Sequence, residues 1–224
     1  MTEFLERGLD GSLLDYRAGW RLQRELHDAV VTGSRRATVV LCEHAPVYTA
    51  GRRTRRDERP AGEGLGGTPV VDVDRGGRVT WHGPGQLVGY PVVRLRRPID
   101  VVAYVRALEA ALIAAAHDLG VAAERVEGRS GVWVPQPGGP PAKVAAVGVR
   151  VASGVTMHGF ALNVACALEP FTAIVPCGIT DAGVTTLTRE AGRTLAVRDA
   201  VGPIRDALER ELAGVAEIDL GVAA

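Results

Sequence analysis

Between residues 37 and 175 the sequence is crowded with short β-prone segments, and helical periodicity interrupts them only once. That order constrains the fold more than any other feature. Asp15 to Val30 places Leu22, Leu26 and Val30 at helical spacing, with Tyr16 and Trp20 one turn apart. The pattern returns at Ile99 to Leu119, ending at Gly120, and again at Ile204 to Leu212, opened by Pro203. Strands are expected at 37–42, Val70 to Val73, Val79 to Trp81, Leu87 to Val93, Gly131 to Val134, Val144 to Val151, Thr156 to Asn163 and Ala173 to Val175. The PQPGGPPA stretch reads as a separating loop and 52–67 as a polar surface loop. Helices and strands do not alternate regularly, so the reading is a single α+β domain over residues 1–224, a mixed or antiparallel sheet packed by helices.

Charge narrows the function. Acidic and basic residues balance at 26 each, which argues against recruitment of nucleic acid by bulk charge. The basic residues are 25 arginines and one lysine, Lys143, where a chain this long ordinarily carries on the order of ten lysines. Coding bias accounts for the missing lysines and leaves the survivor open. Three cysteines make no disulfide framework and suggest a reducing cytosol. Neither a membrane span nor a targeting signal is expected, since Arg106 and Glu109 break the most apolar helical stretch.

The densest chemical signal is Arg75 to Tyr90, RGGRVTWHGPGQLVGY. Its glycines permit close backbone approach to a ligand, and two turns, RGG and HGPG, can aim N–H groups at an oxygen. Ordinary hairpin turns are the plainer reading, but His82 and Gln86 bracket the second turn. Lys143, after PGGPPA, opens the apolar run VAAVGVRV, where an ammonium can polarise a carbonyl or lower a neighbouring thiol's pKa; most lysines simply face water. Cys177, between Pro176 and Gly178, stands on a turn that can expose and hold its sulfur, whereas Cys42 and Cys166 have the apolar surroundings of inert cysteines. His27 and His117 are expected at helix surfaces. Zinc on Cys42, His44, His82 and His158 is not favoured, because CxH lacks a second close ligand pair. Neither GxxxxGK[ST] nor GxGxxG occurs.

Taken in order, EHAPVYTAGRR, RGGRVTWHGPGQLVGYP, GVWV with AKVAAVGVRV, MHGFALNV and PCGI resemble the lipoyl(octanoyl) transferases, the lipoate-protein ligase B family, from about Tyr16 to Leu187. Trp81 stands where that family often has tyrosine, and the proline-rich loop at 135–141 looks longer than its minimum. The resemblance implies the α+β fold of biotin and lipoate protein ligases and no cofactor or metal. It implies transfer of octanoyl from octanoyl-acyl carrier protein to a lysine on the lipoyl domains of 2-oxoacid dehydrogenases and on the glycine cleavage H protein, in the cytoplasm. Cys177 and Lys143 fall on the catalytic positions. The acyl-binding stretches fall on Arg75, Gly76, Gly77, Arg78, Val79, Thr80, Trp81 and His82, on Ala146, Val147 and Gly148, and on Gly159, Phe160 and Ala161.

These groups suggest a relay in which a Cys177 thiolate, paired with the Lys143 ammonium, takes the acyl group before an amine removes it. Backbone N–H groups near Gly76, Gly77 or Gly148 are candidate oxyanion donors. Val147 and Phe160 are expected to carry the acyl tail, and His82 to shape the pocket or shuttle protons. Either Arg52, Arg53, Arg55, Arg56 and Arg59 or Arg94, Arg96 and Arg97 would dock the acidic carrier. The alternatives are an ATP-dependent lipoate or biotin ligase, an acyl-thioesterase, and a non-catalytic lipoyl-domain binding protein of the same fold.

Overall fold

A computed structural model describes residues 2–60, 62–174 and 182–217. Within them a seven-stranded sheet takes β1 (Glu3–Arg7), β2 (Thr38–Cys42), β6 (Gln86–Val92), β7 (Glu124–Val126), β8 (Arg129–Gln136), β9 (Gly139–Ala152) and β10 (Val155–Asn163), in the order β1-β2-β6-β10-β9-β8-β7. A three-stranded sheet is ordered β4 (Val70–Asp72), β3 (Val47–Ala50), β5 (Val79–His82). β1 and β4 run parallel to β2 and β3, and the other pairs are antiparallel, so both sheets are mixed as expected.

Alternation decides which helix covers which face. Val39 and Leu41 of β2, with Leu87 of β6, enter the core built with α2 (Val101–Asp118) and α4 (Val201–Leu212). Val40, Cys42, Val88, Tyr90 and Val92 face the other way, against Leu26 and Val30 of α1 (Tyr16–Thr32). Asp15 caps α1 by accepting the Ala18 N–H at 2.8 Å, and Gly33 ends it in the left-handed region. Asp100 caps α2 in the same way. Pro203 lies in the first turn of α4, where its missing N–H leaves no helical bond unmade.

Several expectations fail for identifiable reasons. PQPGGPPA is no loop: β8 and β9 form one hairpin turning at residues 137–138, and Pro140 and Pro141 fall where β9 extends past the end of β10 and has no neighbour there to need their N–H. Ala173 belongs to a 3-10 turn, Glu169–Ala173, instead of a strand; Val175 lies outside the described residues. His27 is buried, its Nε2 3.1 Å from the Ala152 carbonyl, because α1 packs that side against the β9–β10 turn. Within the polar 52–67 loop Glu58 is buried, accepting the Arg55 N–H and pairing with Arg78. β1, β7 and the short α3 (Leu187–Ala191) had no clear sequence pattern.

Candidate functional site

A cavity of about 280 Å³ lies between the two sheets. Ala146 and Gly148 of β9, Gly159 and Ala161 of β10, and Val88 and Tyr90 of β6 border it on the large-sheet side. Ala146 pairs with Ala161 and Gly148 with Gly159, so the small residues lie opposite one another on one face. Gly148 cannot be enlarged freely, since a Cβ there would approach Gly76 O and Arg75 Cδ to 3.2 Å. The residues between them point away: Phe160 is part of the core with α2 and α4, and Val147 packs against it. Both border the cavity, as do the alanines and glycines on the face turned toward it.

The opposite side comes from the glycine-rich segment. In β5, Thr80 and His82 border the cavity, while Val79 and Trp81 turn into a separate cluster with Tyr48 and Phe171, the Trp81 and Phe171 rings 5.6 Å apart and edge-on. Arg75 is buried and donates to the carbonyls of Gly76, Arg78 and Thr49 and to Thr49 Oγ1, at 2.7–3.0 Å. It therefore shapes the RGGR turn, and Gly77 follows in the left-handed region. The Gly76 N–H is already donated to Val149 O at 2.9 Å, which removes it from the candidate oxyanion donors.

Buried histidines complete this wall. His82 Nδ1–H donates to Gln86 Oε1 at 2.8 Å, Gln86 Nε2 donates to Asn163 Oδ1, and Asn163 Nδ2 donates to the Thr185 carbonyl. The other nitrogen of His82 accepts from Thr49 Oγ1 at 3.3 Å, and Tyr16 stacks on the ring. Burial pushes His82 down to about 3. With both nitrogens engaged and burial favouring the neutral ring, the arrangement of His82 suits holding the pocket's shape better than carrying protons. His44 donates to Leu14 O, accepts the Tyr90 hydroxyl proton at 2.7 Å, and is lowered by burial to about 4. His158 donates to Asp74 at 2.8 Å, and that bond holds Asp74 down at about 2. Sequence reasoning placed Tyr16 on the helical pattern but not at the site, and missed Asp74, which neither a motif nor a periodicity marks. Asn163, a polar residue inside a buried apolar strand, carried a usable signal.

Lys143 owes its place to a β-bulge. Trp133 pairs with Lys143 and Val132 with Ala145, so Val144 is an extra residue opposite β8. Val144 and Ala145 both enter the core with α2 and α4, and Lys143 joins Ala146 on the cavity side. Without the bulge Lys143 would share the face of Ala145. The lysine is 6% exposed, its Nζ 4.5 Å from the centroid of the Trp133 ring. Its N–H donates to Gly183 O, and its carbonyl accepts from Thr185 N.

Cys177 lies outside the described residues. Cys42 and Cys166 are buried, and burial pushes the Cys166 thiol up to about 12, which suits neither to nucleophilic work. Among the described residues no three His, Cys, Asp or Glu side chains are grouped as metal ligands. In one arginine set Arg94 donates to the Val30 and Val31 carbonyls and the exposed Arg96 to Ala213, with Arg97 exposed; in the other Arg52, Arg53, Arg55, Arg56 and Arg59 are all exposed, Arg55 and Arg59 pair with Asp57 and Asp72, and Arg53 borders the cavity.

Residues 15–209 match the lipoyl protein ligase A/B catalytic domain. An octanoyltransferase of Leifsonia xyli subsp. xyli is 59% identical over 212 residues, covering 94% of this chain and 93% of that one. An octanoyltransferase of Clavibacter sepedonicus is 56% identical over 216 residues, 95% of this chain and 91% of that one. Among solved structures, the bipartite lipoate protein ligase of Thermoplasma acidophilum superposes with a TM-score of 0.64 at 18% identity, covering 96% of this chain and 83% of that one, a likeness of fold.

Proposed function

We infer the reaction from a plain premise: this chain belongs to the lipoyl protein ligase A/B catalytic domain family, and within it to the octanoyltransferases, acyltransferases of lipoate biosynthesis. Acting as one catalytic domain, it moves octanoyl from octanoyl-acyl carrier protein to the ε-amine of a lysine on lipoyl domains of 2-oxoacid dehydrogenases and on the glycine cleavage H protein. The family resemblance supports a reaction in the cytoplasm. Among the described residues no helix is long and apolar enough to cross a membrane.

One observation carries the reading. The chain's single lysine is buried at the cavity, and its backbone is bonded to residues 183–185, shortly after Cys177 in sequence. In the first step the Cys177 thiolate attacks the thioester carbonyl, a tetrahedral oxyanion forms, and the carrier sulfur leaves as a thiol with the proton of the Lys143 ammonium, which is left neutral. In the second, the acceptor amine attacks the Cys177 thioester and the cysteine sulfur leaves. The amine's proton passes to Lys143, once neutral, and an amide remains. The small-residue floor of β9 and β10 takes the acyl chain, and the exposed arginines at 52–59 meet the acidic carrier.

Close relatives that are octanoyltransferases favour this over ATP-dependent ligation, whose solved examples share only the fold. Intact-protein mass spectrometry after incubation with octanoyl-acyl carrier protein tests the relay. An octanoyl adduct is expected that Cys177→Ser abolishes. No adduct, or one that survives the substitution, overturns the relay.

A further inference from the structure

We propose that Glu109, Gly131 and Trp133 form a seat that positions the Lys143 amine, Glu109 acting from the far face of the sheet through the Gly131 amide. Taking Lys143 as the proton acceptor rests on the function proposed above; the seat itself rests on geometry alone.

Glu109 is fully buried in α2, where a carboxylate costs stability unless it is paired and hydrogen-bonded. One oxygen meets Arg106 at 2.6 Å and Arg125 at 3.3 Å. The other accepts the Gly131 N–H at 2.8 Å. Gly131 is thereby held at φ 103°, a conformation that side chains disfavour. A Cβ at residue 131 would lie 2.5 Å from Ala145 O, 3.3 Å from Lys143 Cε and 3.4 Å from Nζ. Main chain thus occupies the side of the slot where any side chain would displace the amine. Trp133, directly across the strand pair, offers its ring face to Nζ. Gly128 and Ser130, from the same turn, border the cavity, so the carboxylate fixes this edge of the site together with the lysine.

A chain with one lysine gives one set of lysine signals, so selective 13C-lysine labelling observes Lys143 without ambiguity. Its ε-methylene is expected upfield of free lysine, in the shielding region above an indole. Gly131→Ala and Glu109→Ala should move the signal toward the free position and lower kcat on the order of 100-fold, as a small misplacement of a reacting group does. KM for the acyl donor should change less than kcat, since the floor and the wall around His82 are untouched and only one edge of the cavity is disturbed. Glu109→Gln keeps one oxygen, for which the Gly131 amide competes with Arg106 and Arg125, and should move the signal and lower turnover less than Glu109→Ala. If Glu109→Ala does not fold, Gly131→Ala and Trp133→Leu carry the test, with circular dichroism and melting establishing their fold. Folded variants with wild-type signal and turnover overturn the seat. Turnover that survives Lys143→Ala while the wild-type signal remains upfield overturns the catalytic reading and leaves the seat standing.

Discussion

The two sides of the cavity are made of opposite materials. The floor on β9 and β10 is alanine and glycine, defined by what is missing; the wall around His82 is a continuous chain of hydrogen bonds, Arg75 to Thr49 to His82 to Gln86 to Asn163. A floor without side chains imposes a shape on an apolar ligand and no orientation. A wall whose donors and acceptors are engaged imposes orientation and resists rearrangement, because each broken link strands a buried polar group. On the proposed function the acyl chain would lie on the floor of β9 and β10, and its reactive end where Lys143 of β9 meets the wall.

Substitutions can break that division, beginning where the effect is largest. Lys143→Arg keeps a cation at the edge of the wall but cannot release a proton near neutral pH, so turnover should fall roughly 10²- to 10⁴-fold in a steady-state assay. Near-normal turnover would leave the lysine an electrostatic role only. On the floor, Ala146→Leu should exclude the end of an octanoyl chain while shorter donors still react. Each methylene denied burial costs about 0.8 kcal/mol, roughly fourfold in kcat/KM across a donor series. Equal losses for every chain length would show that Ala146 is no part of the floor.

In the wall, His82→Asn should lower stability by about 1–3 kcal/mol in denaturant titrations and leave the shape of the pH–rate profile between about 6 and 9 unchanged. Burial lowers His82 and His44, so the unfolded chain binds their protons first. Their contribution is whole above about pH 6.5 and is lost as pH falls toward 4 and 3. Asp74, also lowered, loses its contribution further down, between about 3.8 and 2. An acid-denaturation profile should therefore show both windows, the first reduced in His82→Asn. The smallest effect belongs to the rim. Replacing Arg52, Arg55 and Arg56 with glutamine should raise KM a few-fold for carrier-bound donor and weaken its salt dependence, with no change for a small pantetheine thioester.

The segments that make the floor and wall are legible in the sequence, because glycine clusters mark close approaches. Two kinds of information are not. Contacts between distant segments, such as Asp74 with His158 or Glu109 with Gly131, exist only after the sheets assemble. Glu109 reads in sequence as a break in an apolar helix, and it is buried because Arg106, Arg125 and a main-chain amide converge on it. Strand phase is the other. Through AKVAAVG a strict two-residue alternation puts Lys143 with Ala145 and Val147, on the core side, and only the pairing with β8 reveals the extra residue.

The Val144 bulge makes the location of the reactive amine a matter of parity. Removing that valine would leave lysine, alanine and glycine in the same order yet send the amine into the apolar core. When this strand is aligned with a relative's, a one-residue gap between the lysine and the glycine is therefore no neutral bookkeeping choice: it asserts that the amine has changed sides. Counting residues to the glycine tests whether a chain can use this lysine as this one does, before its neighbours are compared.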